Sequence, residues 1–208
     1  MLKIWGRRDS FNLQKVMWSV AELGLAYERI EAGGIHGVTN TAEYLTMNPN
    51  GRVPTIDDDG FVLWESNAII RYLAAKHGRG VLYPEDAKVQ AEADRWMEWQ
   101  SATVGAVMRP LIITMFRTKP DDRDPSILEN QLAEAGRCWT ILDAHLAVRD
   151  YVAGELLSIG DIPMGTYAWR WFSMDTDRPA LIHLERWYDR LKDRPAYRDH
   201  VMLPMATS

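Results

Sequence analysis

The sequence predicts an α/β layer followed by an all-helical bundle. Up to about residue 77, strand-like segments alternate with helical ones, which is the pattern of a sheet covered by helices. From about residue 87 onward, only helical periodicity is found. A stretch with Gly80 and Pro84 separates the two parts and predicts a linker at 79–86. We therefore expect one domain over residues 1–78 and a second over residues 87–208.

The N-terminal half has the pattern of a mixed four-stranded sheet. Apolar residues recur at helical spacing between the first two strand-like segments. Asp59 and Gly60 form a strong hairpin signal between the last two strands. The predicted elements, in order, are strand 2–5, helix 13–23, strand 27–31, a short helix near 41–45, strands 53–56 and 61–64, and helix 66–76.

The C-terminal half predicts four long helices. Ser126 and Glu129 have the spacing of a capping box, and Ser158 and Asp161 repeat a similar pattern before the third of these helices. Pro110 predicts a kink or a stop in the first one. The predicted helices cover 87–116, 126–146, 161–172 and 181–193, the last ended by Pro195.

Composition narrows the classes of function. A formal net charge of −5 argues against a nucleic-acid partner, and no apolar run is long enough for a membrane span. The single cysteine, Cys138, rules out an internal disulfide and favours a reducing, cytoplasmic location. It lies beside Trp139 in a helix, where a buried and inert thiol is expected. The five histidines lack metal-ligand spacing, so we expect no metal.

Four short patterns stand in a fixed order along the chain: Ser10-Phe11-Asn12, Asn48-Pro49-Asn50-Gly51-Arg52-Val53-Pro54, Leu63-Trp64-Glu65-Ser66-Asn67-Ala68-Ile69 and Ser158-Ile159-Gly160-Asp161-Ile162. Together with the order of the elements, they resemble the cytosolic glutathione transferases over residues 1–200. Bacterial theta-like or Nu-like members are the most similar. The resemblance implies a thioredoxin-like N-terminal domain, glutathione as a substrate, a small hydrophobic electrophile as its partner, and a homodimer.

Glu65 and Ser66 are the expected binding site for the γ-glutamyl end of glutathione. A helix N-terminus carries unpaired N–H groups and a partial positive charge, so the start of a helix at Ser66 would attract a carboxylate. Glu65 beside it would attract the ammonium group. Simple capping by Ser66 is the alternative explanation.

Arg52, Val53, Pro54 and His36 are expected to hold the rest of the tripeptide. The resemblance implies a cis Val53-Pro54 bond, with the backbone of Val53 turned toward the cysteinyl amide of glutathione. Arg52 and His36 could meet the glycine carboxylate. For both of these residues, a solvated surface role is the alternative.

Ser10 and Asn12 are the candidates for contact with the glutathione sulfur. The resemblance implies that the Ser10 hydroxyl donates a hydrogen bond to the sulfur, and Asn12 could donate through its amide. Both residues also cap helices well, which is the alternative for each. No cysteine lies near this turn, so a mixed disulfide with the protein cannot form there.

The second-substrate pocket is less determined by the sequence. We expect the Phe11 region and one face of the long helix to line it, the latter through Thr103, Val107 and Trp99. Ordinary packing within the helical bundle is the alternative explanation for these apolar residues and accounts for their spacing equally well. Arg109 on the same helix could meet an anionic product, although a surface role suits it better. Three functions stay open: conjugation of glutathione to electrophiles, glutathione-dependent reduction of disulfides or peroxides, and binding without catalysis.

Overall fold

A computed structural model describes residues 1–204 of the 208-residue chain. Residues 205–208, the end of the predicted helical domain, lie outside the described part. The strands are β1 (Leu2–Trp5), β2 (Tyr27–Ile30), β3 (Thr55–Asp58) and β4 (Phe61–Trp64). The helices are α1 (Phe11–Glu22), α2 (Ala42–Met47), α3 (Ser66–His77), α4 (Ala87–Trp99), α5 (Gly105–Arg117), α6 (Pro125–Leu146), α7 (Asp161–Ser173), α8 (Ile182–Lys192) and α9 (Pro195–His200).

The four strands form one mixed sheet in the order β2-β1-β3-β4. β1 runs parallel to β2 and antiparallel to β3, and β3 pairs antiparallel with β4. Ile4 and Ile56 are fully buried and pack with the apolar faces of α1 and α3 in one hydrophobic cluster. The predicted mixed sheet is confirmed, except that β3 begins two residues later than expected and leaves Val53 and Pro54 outside the ladder.

The predicted hairpin at Asp59-Gly60 is confirmed. Asp59 has a φ of 52° and Gly60 a φ of 94°, so both central residues lie in the left-handed region that a tight two-residue turn of this kind requires. The backbone N–H of Gly60 donates to Oδ1 of Asp57 at 2.6 Å. This turn fixes the register that pairs Thr55 with Trp64 at the other end of the ladder.

The predicted helix over 87–116 is continuous but contains a π-helical turn, which the sequence did not predict. The turn covers Gln100–Val104 and joins α4 to α5. Pro110 lies inside α5, and the prediction that it could stop the helix is wrong. The core of this half is aromatic, and three tryptophans, Trp139, Trp171 and Trp187, are 1% exposed or less.

Two predicted helix ends need correction. Asp124, rather than a Ser126–Glu129 capping box, caps α6, because Pro125 takes the first helical position and Oδ1 of Asp124 accepts from the backbone N–H groups of Ser126 and Ile127. Pro195 does not only end α8. It also begins α9, where proline suits the first turn.

Asp161 holds the start of α7, as the Ser-x-x-Asp pattern predicted. Its Oδ2 accepts from the backbone N–H and the hydroxyl of Ser158, both at 2.9 Å. Its Oδ1 accepts from the backbone N–H of Val152 and from Nε1 of Trp187, also at 2.9 Å. A fully buried carboxylate thereby ties together two helices and the loop before α7.

Helix α1 connects the two halves of the molecule. Its Trp18 is fully buried in the core of the helical half, while Leu13 and Val16 belong to the core beneath the sheet. Leu82, within the predicted linker, is 2% exposed and also packs into the helical core. The boundaries at 78 and 87 stay a prediction. Among residues 1–204, no helix is both long and apolar enough to cross a membrane.

Candidate functional site

A cleft of about 420 Å³ lies between the two halves. On one side it is bounded by the turn from β1 into α1 and by the loop before β3. On the other side it is bounded by α5 and α7. Of the predicted site residues, it brings together Ser10, Asn12, Arg52 and Val53.

Ser10 is the N-cap of α1 and lines the cleft. Its Oγ accepts from the backbone N–H of Leu13 at a long 3.4 Å, and the residue is 9% exposed. No acceptor for its hydroxyl hydrogen is found among the described residues. Asn12 is exposed, and its amide bonds to no other residue of the described chain. Both side chains are therefore free to donate to a ligand.

The loop before β3 is held rigidly by Asn48. The Asn48 amide donates to the backbone oxygen of Arg52 at 2.8 Å and to the Thr55 hydroxyl at 3.0 Å. The Tyr44 hydroxyl donates to the same Arg52 oxygen at 2.7 Å. Because Asn48 and Tyr44 are buried, these bonds form away from competing water. They fix the backbone that carries Arg52 and Val53 into the cleft.

Val53 presents an unpaired stretch of backbone to the cleft. Within residues 1–204, no group bonds to its N–H or its C=O. The Val53–Pro54 bond is cis, as predicted. Pro54 itself is buried and does not line the cleft. A residue whose backbone N–H and C=O are both without partners can bond to an extended peptide through the two groups.

Glu65 and Ser66 lie beside this backbone rather than in the cleft wall. Thr55, the first residue of β3, pairs with Trp64, the last residue of β4. Pro54 directly precedes this pair on one strand, and Glu65 directly follows it on the other. Glu65 is exposed and has a φ of 71°, which is rare for a residue other than glycine and is a hint of function. Ser66 opens α3 and is 5% exposed.

Four other predicted residues are not part of the cleft wall. His36 is exposed, with Nε2 3.5 Å from Oε2 of Glu31. Thr103 is exposed on the π-helical turn. Trp99 packs edge-on against Trp96, and Val107 packs against the helical core. Of the residues expected around the second substrate, the cleft includes Phe11 and also Arg109.

The cleft contains residues that the sequence reasoning missed. The most telling is Arg170, which is 3% exposed and stands in an otherwise apolar stretch of α7. An arginine is seldom buried without a partner. Its presence in an apolar helical stretch was therefore a sequence signal for a functional site, although we did not predict one there. The other missed residues of the wall include Arg7, Gln14, Arg117 and Tyr167.

Comparison with known proteins identifies the family. Residues 1–75 match the model for the glutathione S-transferase N-terminal domain. Over 208 residues, which are 99% of this chain and 100% of the relative, the sequence is 38% identical to glutathione S-transferase GstB of Escherichia coli. The chain belongs to the glutathione transferase family. The resemblance stated from the four sequence patterns is therefore confirmed.

Solved glutathione transferases share the whole fold. A theta class glutathione S-transferase from Xanthomonas axonopodis pv. citri, with glutathione bound, is 43% identical and superposes with a TM-score of 0.93 over 99% of both chains. Its apo form gives a TM-score of 0.85 at 40% identity, over 99% of this chain and 98% of the other. This chain thus shares the family fold, a thioredoxin-like domain followed by a mostly helical part.

Proposed function

We propose that the protein binds glutathione along Glu65, Ser66, Val53 and Ser10 and transfers its thiolate to a small electrophile. The observation that carries this proposal is the unpaired Val53 backbone, which lines the same cleft as Ser10. Family membership supports the transferase activity. The glutathione bound to the structurally similar theta class enzyme supports the choice of ligand.

The γ-glutamyl end would bind at the start of α3. The free N–H groups of the first turn and the helix dipole favour its carboxylate there. The Glu65 carboxylate would receive the ammonium group. This pairing would give a function to the positive φ of Glu65, a backbone conformation that is strained for a residue other than glycine.

The middle and the far end of the tripeptide would follow the loop before β3. The Val53 N–H and C=O would pair with the cysteinyl amide, and the Arg52 guanidinium would meet the glycine carboxylate. Pro54 would set the direction of the Val53 backbone through the cis bond, without contacting the ligand itself. His36 would be a second contact for the glycine carboxylate; it lies outside the cleft wall, with its Nε2 3.5 Å from Oε2 of Glu31.

The sulfur would receive a hydrogen bond from Ser10 or Asn12. Lowering the pKa of a thiol from about 8.5 to about 6.5 takes about 2.7 kcal/mol, and raises the thiolate fraction at pH 7 about 24-fold. The intrinsic nucleophilicity falls about 8-fold over the same change. The net gain at pH 7 is only about threefold, so most of the catalysis must come from holding the electrophile against the sulfur.

Reduction of disulfides is the competing reaction at the same site. Cys138 cannot take part, because it is 6% exposed on α6, lies outside the cleft, and burial raises the pKa of its thiol. A second glutathione would have to attack. Parallel assays with 1-chloro-2,4-dinitrobenzene and with a mixed disulfide of glutathione separate the two reactions. We expect turnover of the chloroarene, and turnover of the disulfide alone would overturn the proposal.

We also propose a homodimer in the cytoplasm, as the family resemblance implies. The expected mass by light scattering at micromolar concentration is twice that of the chain. A monomer would contradict this part of the proposal. Binding of glutathione without turnover of either substrate would leave a binding protein in place of an enzyme.

A further inference from the structure

The cleft is strongly basic, although the chain as a whole is acidic. Five arginines line it: Arg7, Arg52, Arg109, Arg117 and Arg170. Among the described residues of the wall, Asp9 is the one carboxylate, and it pairs with Arg7 at 2.5 Å. The wall thus carries a formal charge of +4 in a chain of −5. A concave site lined by one sign of charge concentrates ligands of the other sign.

Glutathione does not account for all of these charges. In the proposed pose its two carboxylates meet the start of α3 and Arg52. Arg109 and Arg170 come from α5 and α7, on the opposite side of the cleft, where the second substrate must lie to reach the sulfur. No ion pair joins either of them to a described carboxylate.

Arg170 is a buried cation whose partners are all neutral. One Nη donates to the backbone oxygen of Thr166 at 3.0 Å and the other to Oε1 of Gln14. Its guanidinium carbon lies 4.1 Å from the centre of the Phe11 ring. Its Nε is buried and has no partner within residues 1–204. Burial lowers the pKa of Arg170 to about 10, so it stays charged at neutral pH. A buried charge without a counter-ion is destabilising, and an anion in the cleft would relieve that.

Arg109 and Arg170 both lie near Tyr167, which lines the cleft with them. Burial raises the pKa of the Tyr167 hydroxyl, and the charges of Arg109 and Arg170 both oppose that rise. Tyr167 also lies 6.0 Å from Phe11, measured between ring centres. The two guanidinium groups therefore flank an aromatic patch. Ile112, Ile113 and Phe116 extend its apolar surface along α5.

We propose that the preferred second substrate is an anionic electrophile, with an apolar body on the Phe11–Tyr167 patch and a carboxylate facing Arg109 and Arg170. This inference rests on the proposed function and narrows it from the small hydrophobic electrophile that the sequence suggested. In the reaction, the glutathione thiolate displaces a halide. A C–S bond forms, the C–halogen bond breaks, the halide leaves with the bonding electrons, and the thiol proton passes to solvent.

A matched pair of substrates tests the charge preference. 4-Chloro-3,5-dinitrobenzoate and 4-chloro-3,5-dinitrobenzamide share the leaving group and nearly the same shape. Each kcat/KM is divided by the rate constant of the uncatalysed reaction with glutathione, which removes the difference in intrinsic reactivity. We expect this normalised value to be at least about tenfold higher for the benzoate, because one charge-assisted hydrogen bond is worth a factor of about this size. Equal values for the two substrates would overturn the inference but leave the proposed function intact.

Arginine variants tie the preference to the two residues. Arg109→Gln, at an exposed position, should lower the benzoate-to-benzamide ratio about tenfold. Arg170→Lys keeps a charge but loses the planar fork, and should lower the ratio as well. Arg137→Gln is the matched control, since Arg137 is an exposed arginine on α6 outside the cleft and should keep the ratio. An unchanged ratio in Arg109→Gln and in a folded Arg170→Lys would overturn the assignment.

Binding of the products decides the inference even without turnover. S-(4-carboxy-2,6-dinitrophenyl)glutathione should bind at least about tenfold more tightly in calorimetry than its carboxamide counterpart. Its advantage should shrink when KCl is raised from 20 to 200 mM, because salt screens the cleft. If neither chloroarene is turned over, the proposed function fails. If the two products bind equally, the inference fails.

Discussion

Nζ of Lys15 donates a hydrogen bond to Oε1 of Gln100 at 2.9 Å, across the boundary between the two halves of the chain. Lys15 is 3% exposed on α1, and Gln100 is 2% exposed at the start of the π-helical turn. Burial lowers the pKa of Lys15 to about 7, although the charge of Glu65 opposes this shift. The charge of this titratable group thus interacts with that of Glu65, a residue of the proposed γ-glutamyl site.

This burial makes the stability of the fold depend on pH above neutrality. Between pH 7 and 9 the unfolded chain keeps the proton on Lys15 while the folded chain has largely released it, so the free energy of unfolding rises with pH. Between pH 7 and 9, the free energy of unfolding should rise by about 2 kcal/mol more for the wild type than for Lys15→Met. Urea denaturation at pH 7, 8 and 9 measures the difference. The exposed Lys88→Met is the control and should parallel the wild type. Parallel curves for Lys15→Met would contradict the prediction.

Ser10→Ala should change the pH dependence of catalysis more than its rate at pH 7. If Ser10 lowers the pKa of the bound thiol by about two units, the variant loses about tenfold in kcat/KM at pH 5.5 and about threefold at pH 7. The loss should vanish by about pH 8, where the unassisted thiol ionises as well. Profiles of kcat/KM against pH provide the measurement. If Asn12→Ala shows this pattern and Ser10→Ala does not, the sulfur contact belongs to Asn12.

Asp161→Ala should be among the most destabilising substitutions in the helical half. The change leaves four buried donors, on Val152, Ser158 and Trp187, without an acceptor. We expect a loss of about 3 kcal/mol or more in the free energy of unfolding. Asp124→Ala removes an exposed cap of α6 and should lower the free energy of unfolding much less. A urea midpoint for Asp161→Ala that is no lower than that of Asp124→Ala would contradict this prediction.

Glu65→Gln should weaken glutathione binding while leaving the fold intact. The amide keeps the size of the side chain but loses the charge that attracts the ammonium group, so the dissociation constant should rise about tenfold or more. Glu28→Gln, on exposed β2, should bind like the wild type. Equal affinities for Glu65→Gln and wild type would remove Glu65 from the site, provided that thermal unfolding shows both to be folded.

The parts of the site that local sequence determines could be predicted. The Asp59-Gly60 turn and the Val53–Pro54 loop are set by a few neighbouring residues, so short patterns were sufficient. Arg170 could not be assigned in the same way. Its place depends on the packing of α7 against Gln14 and Phe11 of α1, and these residues are more than 150 positions apart in the sequence.

The errors have physical causes too. Val107 and Trp99 have the apolar spacing of a pocket-lining face, but the same spacing serves the helical core, and they pack there. Both Ser126 and Asp124 are residue types that cap helices, so the sequence around residues 124–126 offered two possible starts for α6. Pro125 suits the first helical position because it needs no N–H partner, which leaves Asp124 as the cap.

Calorimetric titration of the wild-type protein with glutathione is the decisive experiment, because the proposed site is built around this tripeptide. We expect saturable binding of one glutathione per chain, at micromolar to low millimolar concentration, and weaker binding by Glu65→Gln. The absence of saturable heat up to 10 mM glutathione, with the protein folded, would contradict this expectation.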